Sequence, residues 1–467
     1  MRRRTSLLIA RPRPTTAIET LGPAFYDRVA PARFPKHLLR FRNDRAAKEI
    51  GLETLSDAEW LERFAGFEPF SGSLASPLAL RYHGHQFRTY NPDIGDGRGF
   101  LFAQFRDETG RLLDLGTKGS GQTPFSRFGD GRLTLKGGVR ELLATEMLEA
   151  LGVETSRTLS LVETGEALDR NDEPSPTRSA VMVRLSHSHI RYGSFQRLAY
   201  LDDGENIHRL TAYCLEHFVG DPEAADPFAA LMDYAVAGAA RLAASYRVAG
   251  FVHGVLNTDN INITAESFDY GPWRFAPRWD EEFTAAYFDQ WGLYSFGRQA
   301  EALQWNVHQL ALALRTQCEA DSLIPALKTY ADRYEAALAK GMVWRLGLNA
   351  KSAEENAALV QQWEQSLATA DVEPDRAFFD WRGGRLRRDD PQYESEAFRR
   401  FAETAKGFET AAGALDHPYW SDERPCSMLI DEVEAIWAAI DQKDDWTPLY
   451  EKVEAARRMG AAHAPLD

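Results

Sequence analysis

The sharpest chemical pattern in the sequence is the polar loop His253-Gly254-Val255-Leu256-Asn257-Thr258-Asp259-Asn260, followed by Phe268-Asp269-Tyr270-Gly271. An amide and a carboxylate in this spacing, Asn260 and Asp269, are hard oxygen donors that suit Mg²⁺ and accept Mn²⁺ equally well. Asp259 is the only carboxylate inside the loop and so the candidate there for taking a proton from an incoming hydroxyl. Upstream, Lys118 ends an apolar run, and Glu141 follows near the start of a helical pattern. Such a pair fits a lysine that grips phosphate oxygens while a glutamate aligns it. Arg184 and Arg191, seven positions apart, offer two forked guanidinium groups that match a triphosphate. The tetrapeptide Gly-Asp-Gly-Arg occurs twice, at Gly95–Arg98 and Gly129–Arg132. Each copy alone reads as a tight turn. Two copies flanking a lysine strand favour phosphate binding, because glycine lets backbone N–H groups approach an anion closely. His187 and His189 are a candidate metal pair without a third ligand in view, and a structural role suits them better.

These residues need elements to hold them. Gly99–Phe105 and Leu112–Thr117 bracket Asp107-Glu108-Thr109-Gly110 and read as a β-hairpin. Val139–Leu151 has apolar residues at helical spacing, with Gly152 as a stop. Val153–Val162 and Ala180–Leu185 return to strand character. Pro227–Ala249 predicts a long helix, and Phe251–His253 and Ile261–Thr264 predict short strands around the polar loop. Helices dominate from Glu282 onward, except for a loop-like Pro374–Pro391. The fold class expected is α+β, a protein-kinase-like two-lobed fold with a β-rich N-lobe and a helical C-lobe. The expected division is an N-terminal extension over 1–79, an N-lobe over 80–185, a C-lobe with the polar loop over 186–345, and a C-terminal helical region over 346–467. In that template the catalytic base stands two residues after the loop histidine, and here that position is Val255, which cannot accept a proton. The nucleotide and metal machinery is thus kept while the ordinary phosphotransfer base is gone. A fold that has lost all activity is the competing reading, and retention of Lys118, Glu141, Asn260 and Asp269 weighs against it.

Composition narrows the classes further. The 467 residues are 44% hydrophobic and 26% charged, an ordinary globular balance. A net charge of −15 disfavours a general nucleic-acid binder. No stretch of 18 apolar residues is present, so no membrane span is expected. Cys214, Cys318 and Cys426 are far apart and odd in number, which suggests neither a disulfide framework nor a metal site, and fits a reducing compartment. Arg2, Arg3, Arg4, Arg11 and Arg13 precede the first acid, Glu19. This reads as a short basic tail on a cytoplasmic bacterial protein, with a mitochondrial transit peptide as the alternative.

Taken together the sequence resembles the SelO family. The resemblance rests on Tyr82–Phe87 (Tyr-His-Gly-His-Gln-Phe), Gly95–Arg98, Thr123–Arg132, Arg140-Glu141, Ser188–Gly193, the His253–Asn260 loop and Asp269–Pro272, and runs from about Phe25 to Gly347. It implies a pseudokinase-type fold that transfers AMP from ATP to Ser, Thr or Tyr hydroxyls of proteins and releases pyrophosphate. ATP would lie reversed, with its α-phosphorus facing the acceptor. The resemblance carries nucleotide contacts onto Gly95, Gly97, Arg98, Lys118, Asp130, Gly131, Arg184 and Arg191, the base onto Asp259, and Mg²⁺ onto Asn260 and Asp269. Ordinary γ-phosphoryl transfer and a non-catalytic ATP-binding scaffold remain as alternatives, and nothing identifies the acceptor proteins or the oligomeric state. Two departures stand out. Many members carry a cysteine or selenocysteine close to the C-terminus, whereas this chain ends Ala-His-Ala-Pro-Leu-Asp, so redox control through a tail thiol is not expected. The usual Asn-Pro segment with an Arg-Asn pair has at most a remnant in Asp389–Tyr393, which points to divergence of the C-terminal quarter.

Overall fold

The computed structural model describes residues 12–171 and 173–463. The arginine-rich start lies outside them apart from Arg13, as do the last four residues. The chain is a mixed α/β protein with a β-sheet lobe and extensive helical regions.

Alternation of side chains along strands sets the sheet. Phe100 and Phe102 turn to one face, where Trp60 and Phe64 cover them, and a register irregularity between Leu101 and Ala103 brings Phe105 to the same face, while Leu101 joins the opposite cluster. The expected hairpin forms as Leu101–Arg106 and Leu112–Lys118. Its turn is built by Asp107 Oδ1, which accepts from the N–H groups of Thr109 at 2.9 Å and Arg111 at 3.0 Å. The main path runs Tyr26–Arg28, Leu78–Leu80, Leu101–Arg106, Leu112–Lys118, Thr177–Ser186, Arg157–Leu168, Leu38–Arg42. Pro14–Thr15 and Leu133–Thr134 attach to its third and fifth members. Segments before residue 80 therefore share the sheet with those after it.

The helix expected over Val139–Leu151 spans Leu135–Ala150, because Thr134 caps it by accepting from Gly137 N. It is buried nearly all round, with the sheet on one side and the C-terminal helices Ile430–Lys443 and Thr447–Ala462 behind it. Arg457 makes a paired contact with the buried Glu146, at 2.8 Å to each carboxylate oxygen. Pro227–Ala249 forms as expected between the Asp226 cap and the left-handed Gly250.

Three local expectations change. Ile261–Thr264 is not a strand: it is tied to residues 190–192 by single bonds, Ile263 N to Ile190 O at 2.8 Å and Tyr192 N to Ile261 O at 3.0 Å. Asp280–Ser295 is a turn-rich loop, and helix resumes only at Phe296. Pro374–Asp380 is a helix. Proline is favoured in a first helical turn, and the buried Phe378 and Phe379 give the helix an apolar anchorage. Among the described residues, no helix is long and apolar enough to cross a membrane.

Candidate active site

Strand register explains why Lys118 and Arg184 meet. Lys118 pairs with Met182 and Gly116 with Arg184, so all four point to one face, with Lys118 and Arg184 as diagonal neighbours. Lys118 is only 4% exposed. Its ammonium group donates to Glu141 on the buried helix and to Asp269 Oδ1 at 2.7 Å. Asp269 sits in the left-handed region, φ 65°, which turns its carboxylate towards these cations. Burial pushes that carboxyl upward, but Lys118, Arg184, Arg191 and Arg98 outweigh it and hold it well below the usual carboxylate range.

The two arginines are buried and underused. Arg184 Nη1 lies 3.7 Å from both Glu141 and Asp269, beyond hydrogen-bond reach, and its Nε and Nη1 have no partner. Arg191 is stacked between Tyr82 and Phe268, at 4.4 and 4.7 Å from the ring centres. It donates to the Asp259 carbonyl at 2.6 Å and approaches Asp96 at 3.4 Å, with Nε left over. Buried guanidinium donors without acceptors are costly, and an anion in the adjoining space would satisfy them.

That space is a cavity of about 730 Å³. Gly95, Gly97, Arg98, Lys118, Asp130, Gly131, Arg184, Arg191 and Asp269 all line it, and Glu141 stands directly behind Lys118. The wall carries seven cationic side chains and four acidic ones, a positive pocket in an acidic chain. Both Gly-Asp-Gly-Arg copies belong to it. Thr123 Oγ1 donates to the Asp96 carbonyl and Ser126 Oγ to that of Gly97, so one copy's loop is laid on the other. Gly131 has φ 69°, and a β-carbon there would lie 2.2 Å from the Gly121 carbonyl carbon; only glycine fits. Asp130 faces the cavity with its carboxylate held by Arg170 at 2.9 and 3.1 Å.

Asp259 and Asn260 occupy a short 3₁₀ turn on the helical side, next to Arg191 rather than on the cavity wall. Burial raises the Asp259 carboxyl to about 6, against the opposing pull of Arg191. Its Oδ1 has no partner, and its Oδ2 meets Gln86 Nε2 at 3.4 Å. Asn260 donates through Nδ2 to the Val255 carbonyl at 3.0 Å, which leaves its amide oxygen for another ligand. His253 is buried and bonds the Phe268 carbonyl at 2.9 Å, joining the polar loop to the segment that carries Asp269.

The family model described as "Protein adenylyltransferase SelO" matches residues 11–404 of this chain. The chain belongs to the SelO family. It is 43% identical over 467 residues to the protein nucleotidyltransferase YdiU of Gloeobacter violaceus, covering 95% of this chain and 94% of the relative. It is 50% identical over 341 residues to the Synechococcus elongatus protein of the same name, covering 72% and 68%. The Pseudomonas aeruginosa protein of that name is 36% identical over 402 residues, covering 83% and 82%. The match extends past Gly347, so the C-terminal quarter shares more with SelO relatives than its motifs alone indicated.

Not every sequence candidate joins the cavity as a ligand. His187 bonds the Leu112 carbonyl at 2.8 Å and His189 meets the buried Asp114 at 3.2 Å, so each has a structural partner of its own. His189 also fills the space over Gly116, where a β-carbon would fall 1.8 Å from its Nε2. Among the described residues, no cluster of three His, Cys, Asp or Glu could hold a metal, and all three cysteines are free. Residues that sequence reasoning passed over include Asp96, which locks its loop by accepting from Leu80 N at 2.9 Å, and the aromatic pair Tyr82 and Phe268. Asp96 and Tyr82 stood inside quoted motifs. Arg170, 40 positions from its partner Asp130, had no local signal.

Proposed function

We propose that this SelO-family protein is a protein adenylyltransferase that moves AMP from ATP onto Ser, Thr or Tyr hydroxyls of acceptor proteins. The observation that carries the reading is a conjunction in one place. Buried guanidinium donors without partners face a positive cavity, and the adjoining loop has valine where a phosphotransfer base would stand and a carboxylate with one unpartnered oxygen, Asp259 Oδ1, further along. We read the sheet lobe, which takes in strands from before residue 80, and the helical region that follows it as a protein-kinase-like pair with limits near 185 and 345.

In this reading Lys118, Arg184 and Arg191 hold the deep phosphates, and Glu141 keeps Lys118 extended. The glycine-lined wall formed by 95–98 and 129–132 brings backbone N–H groups to the remaining oxygens. The acceptor hydroxyl oxygen bonds to the α-phosphorus, the bond from that phosphorus to the bridging β-oxygen breaks, and pyrophosphate leaves. The cations stabilise the charge that develops on it. Asp259 takes the hydroxyl proton through its free Oδ1; with its carboxyl near 6, it is mostly ionised at neutral pH. Asn260 and Asp269 fit Mg²⁺ or Mn²⁺ by donor type, as two hard oxygen ligands short of a full shell, with phosphate and water to complete it. Such an ion, when bound, neutralises phosphate charge. ATP and acceptor proteins are the partners, with no nucleic acid. We place the enzyme in the cytoplasm, as its three free cysteines and bacterial relatives suggest.

The test is incubation with Mg²⁺ and ATP labelled in either the α- or the γ-phosphate. Label on protein from α-labelled ATP alone supports the reading. Label from γ-labelled ATP alone would make the protein a kinase, and ATP binding without any incorporation would leave a scaffold.

A further inference from the structure

The loop Asp280–Ser295 holds large apolar side chains in water. Tyr287 is 88% exposed, Phe288 47% and Trp291 91%, three exposed large hydrophobic residues within five positions. Clustered exposure of this kind marks an interaction surface rather than ordinary surface composition. The loop is firmly built. Asp289 is buried and accepts from the N–H groups of Leu293 and Tyr294, each at 2.8 Å. Gly292 N and Ser295 N close successive turns onto Asp289 O and Gly292 O, and Phe296 N returns to Phe283 O at 2.9 Å.

This patch is continuous with Asp259. Gln86 approaches the Asp259 carboxylate, and the next residue, Phe87, forms the tip of the hairpin Gly84–Gln86 and Thr89–Asn91. Phe87 and Arg88 both adopt positive φ, 49° and 63°, an unfavourable conformation for side-chain-bearing residues. Asn257 holds the tip in place: its Oδ1 accepts from Phe87 N at 3.0 Å and from the Tyr294 hydroxyl at 2.8 Å. The Phe87 ring packs on Phe288 at 5.8 Å, and Phe288 on Tyr287 at 5.1 Å. A single asparagine, two positions before the base, thus fixes both the hairpin tip and the aromatic loop relative to Asp259.

We propose that this rim is where the acceptor protein docks: a segment with an aromatic or branched aliphatic side chain beside the accepting hydroxyl lies across Phe87, Tyr287, Phe288 and Trp291, and delivers the hydroxyl to Asp259. The inference rests on adenylyl transfer to protein, which requires an acceptor to reach that carboxylate.

A positional-scanning library of peptides, each with one Ser, Thr or Tyr, incubated with α-labelled ATP and Mg²⁺, tests this. The native protein is expected to select aromatic or branched aliphatic residues next to the hydroxyl. The double variant Tyr287→Ser/Trp291→Ser should lose that selection, with kcat/KM on the preferred peptides down at least tenfold and the Kd for ATP within twofold. Unchanged selection in the double variant overturns the docking surface while adenylylation stands. If the variant instead turns a dimer into a monomer by sedimentation with selection unchanged, the patch is a self-association face and the proposal is overturned. Absence of label on any protein or peptide, despite ATP binding, defeats the transfer reading and the docking proposal with it.

Discussion

Asp259→Asn should separate stability from the transfer role proposed for this residue. Burial raises this carboxyl from 3.8 to about 6, against Arg191. A folded value above the unfolded one means that folding favours the protonated form. The stability contributed at low pH is lost as pH rises from about 4 through about 6, and above that the ionised carboxylate costs about 3 kcal/mol. Removing the charge should therefore make the protein more stable by up to about 3 kcal/mol at pH 7–8, with the gain vanishing below about pH 4. The same change removes the only carboxylate in the loop, and transfer should fall by about 10²–10⁴-fold. Two measurements check this: denaturant unfolding of both proteins at a series of pH values, and AMP transfer at saturating ATP between pH 5 and 8. For the native protein, transfer should be about half-maximal near pH 6 and fall about tenfold for each further pH unit downward. A flat profile across that range, or a variant no more stable at pH 8 than at pH 4, would refute the assignment of Asp259 as a buried, mostly ionised base.

Arg184→Met should weaken ATP binding by about 10- to 100-fold, since charge-assisted hydrogen bonds contribute about 1.5–3 kcal/mol, while stability without ATP changes by less than about 1 kcal/mol; calorimetric titration and thermal unfolding read the two effects. Arg457→Met strands the Glu146 carboxylate behind the Glu141 helix, with only Asn43 at 3.4 Å and Arg45 at 3.8 Å to help, and should cost about 2–3 kcal/mol. Adding Glu146→Gln should recover most of that loss in denaturant unfolding. Gly131→Ala forces a β-carbon into the Gly121 backbone and should weaken ATP binding at least tenfold, measured by titration, with a stability loss of about 1–2 kcal/mol.

The motif-bearing hairpin, the Glu141 helix and Pro227–Ala249 were legible because each has its signals close by: a turn residue, a cap, an apolar period. Boundaries drifted where the deciding atom was a single hydroxyl, as with Thr134, which starts its helix four residues earlier than periodicity placed it. The stretch Pro374–Pro391 looks loop-like in sequence, yet Pro374–Asp380 is a helix anchored by the buried Phe378 and Phe379. The echoed Gly-Asp-Gly-Arg copies were visible, but their contact was not. It depends on the Thr123 and Ser126 hydroxyls meeting the carbonyls of Asp96 and Gly97, a contact between loops nearly 30 residues apart.

The order of residues by itself determined which chemistry this protein can perform: lysine, arginines, amide and carboxylates at spacings that suit a nucleotide and a metal, and valine at position 255. Tertiary structure alone decided which of these groups converge and in what state. Sheet register aims Arg184 beside Lys118, burial lifts the Asp259 carboxyl while four cations depress that of Asp269, and Asp114 claims His189. Spacing along a chain fixes side-chain type and local direction, whereas desolvation and charge proximity arise only once distant segments exclude water together.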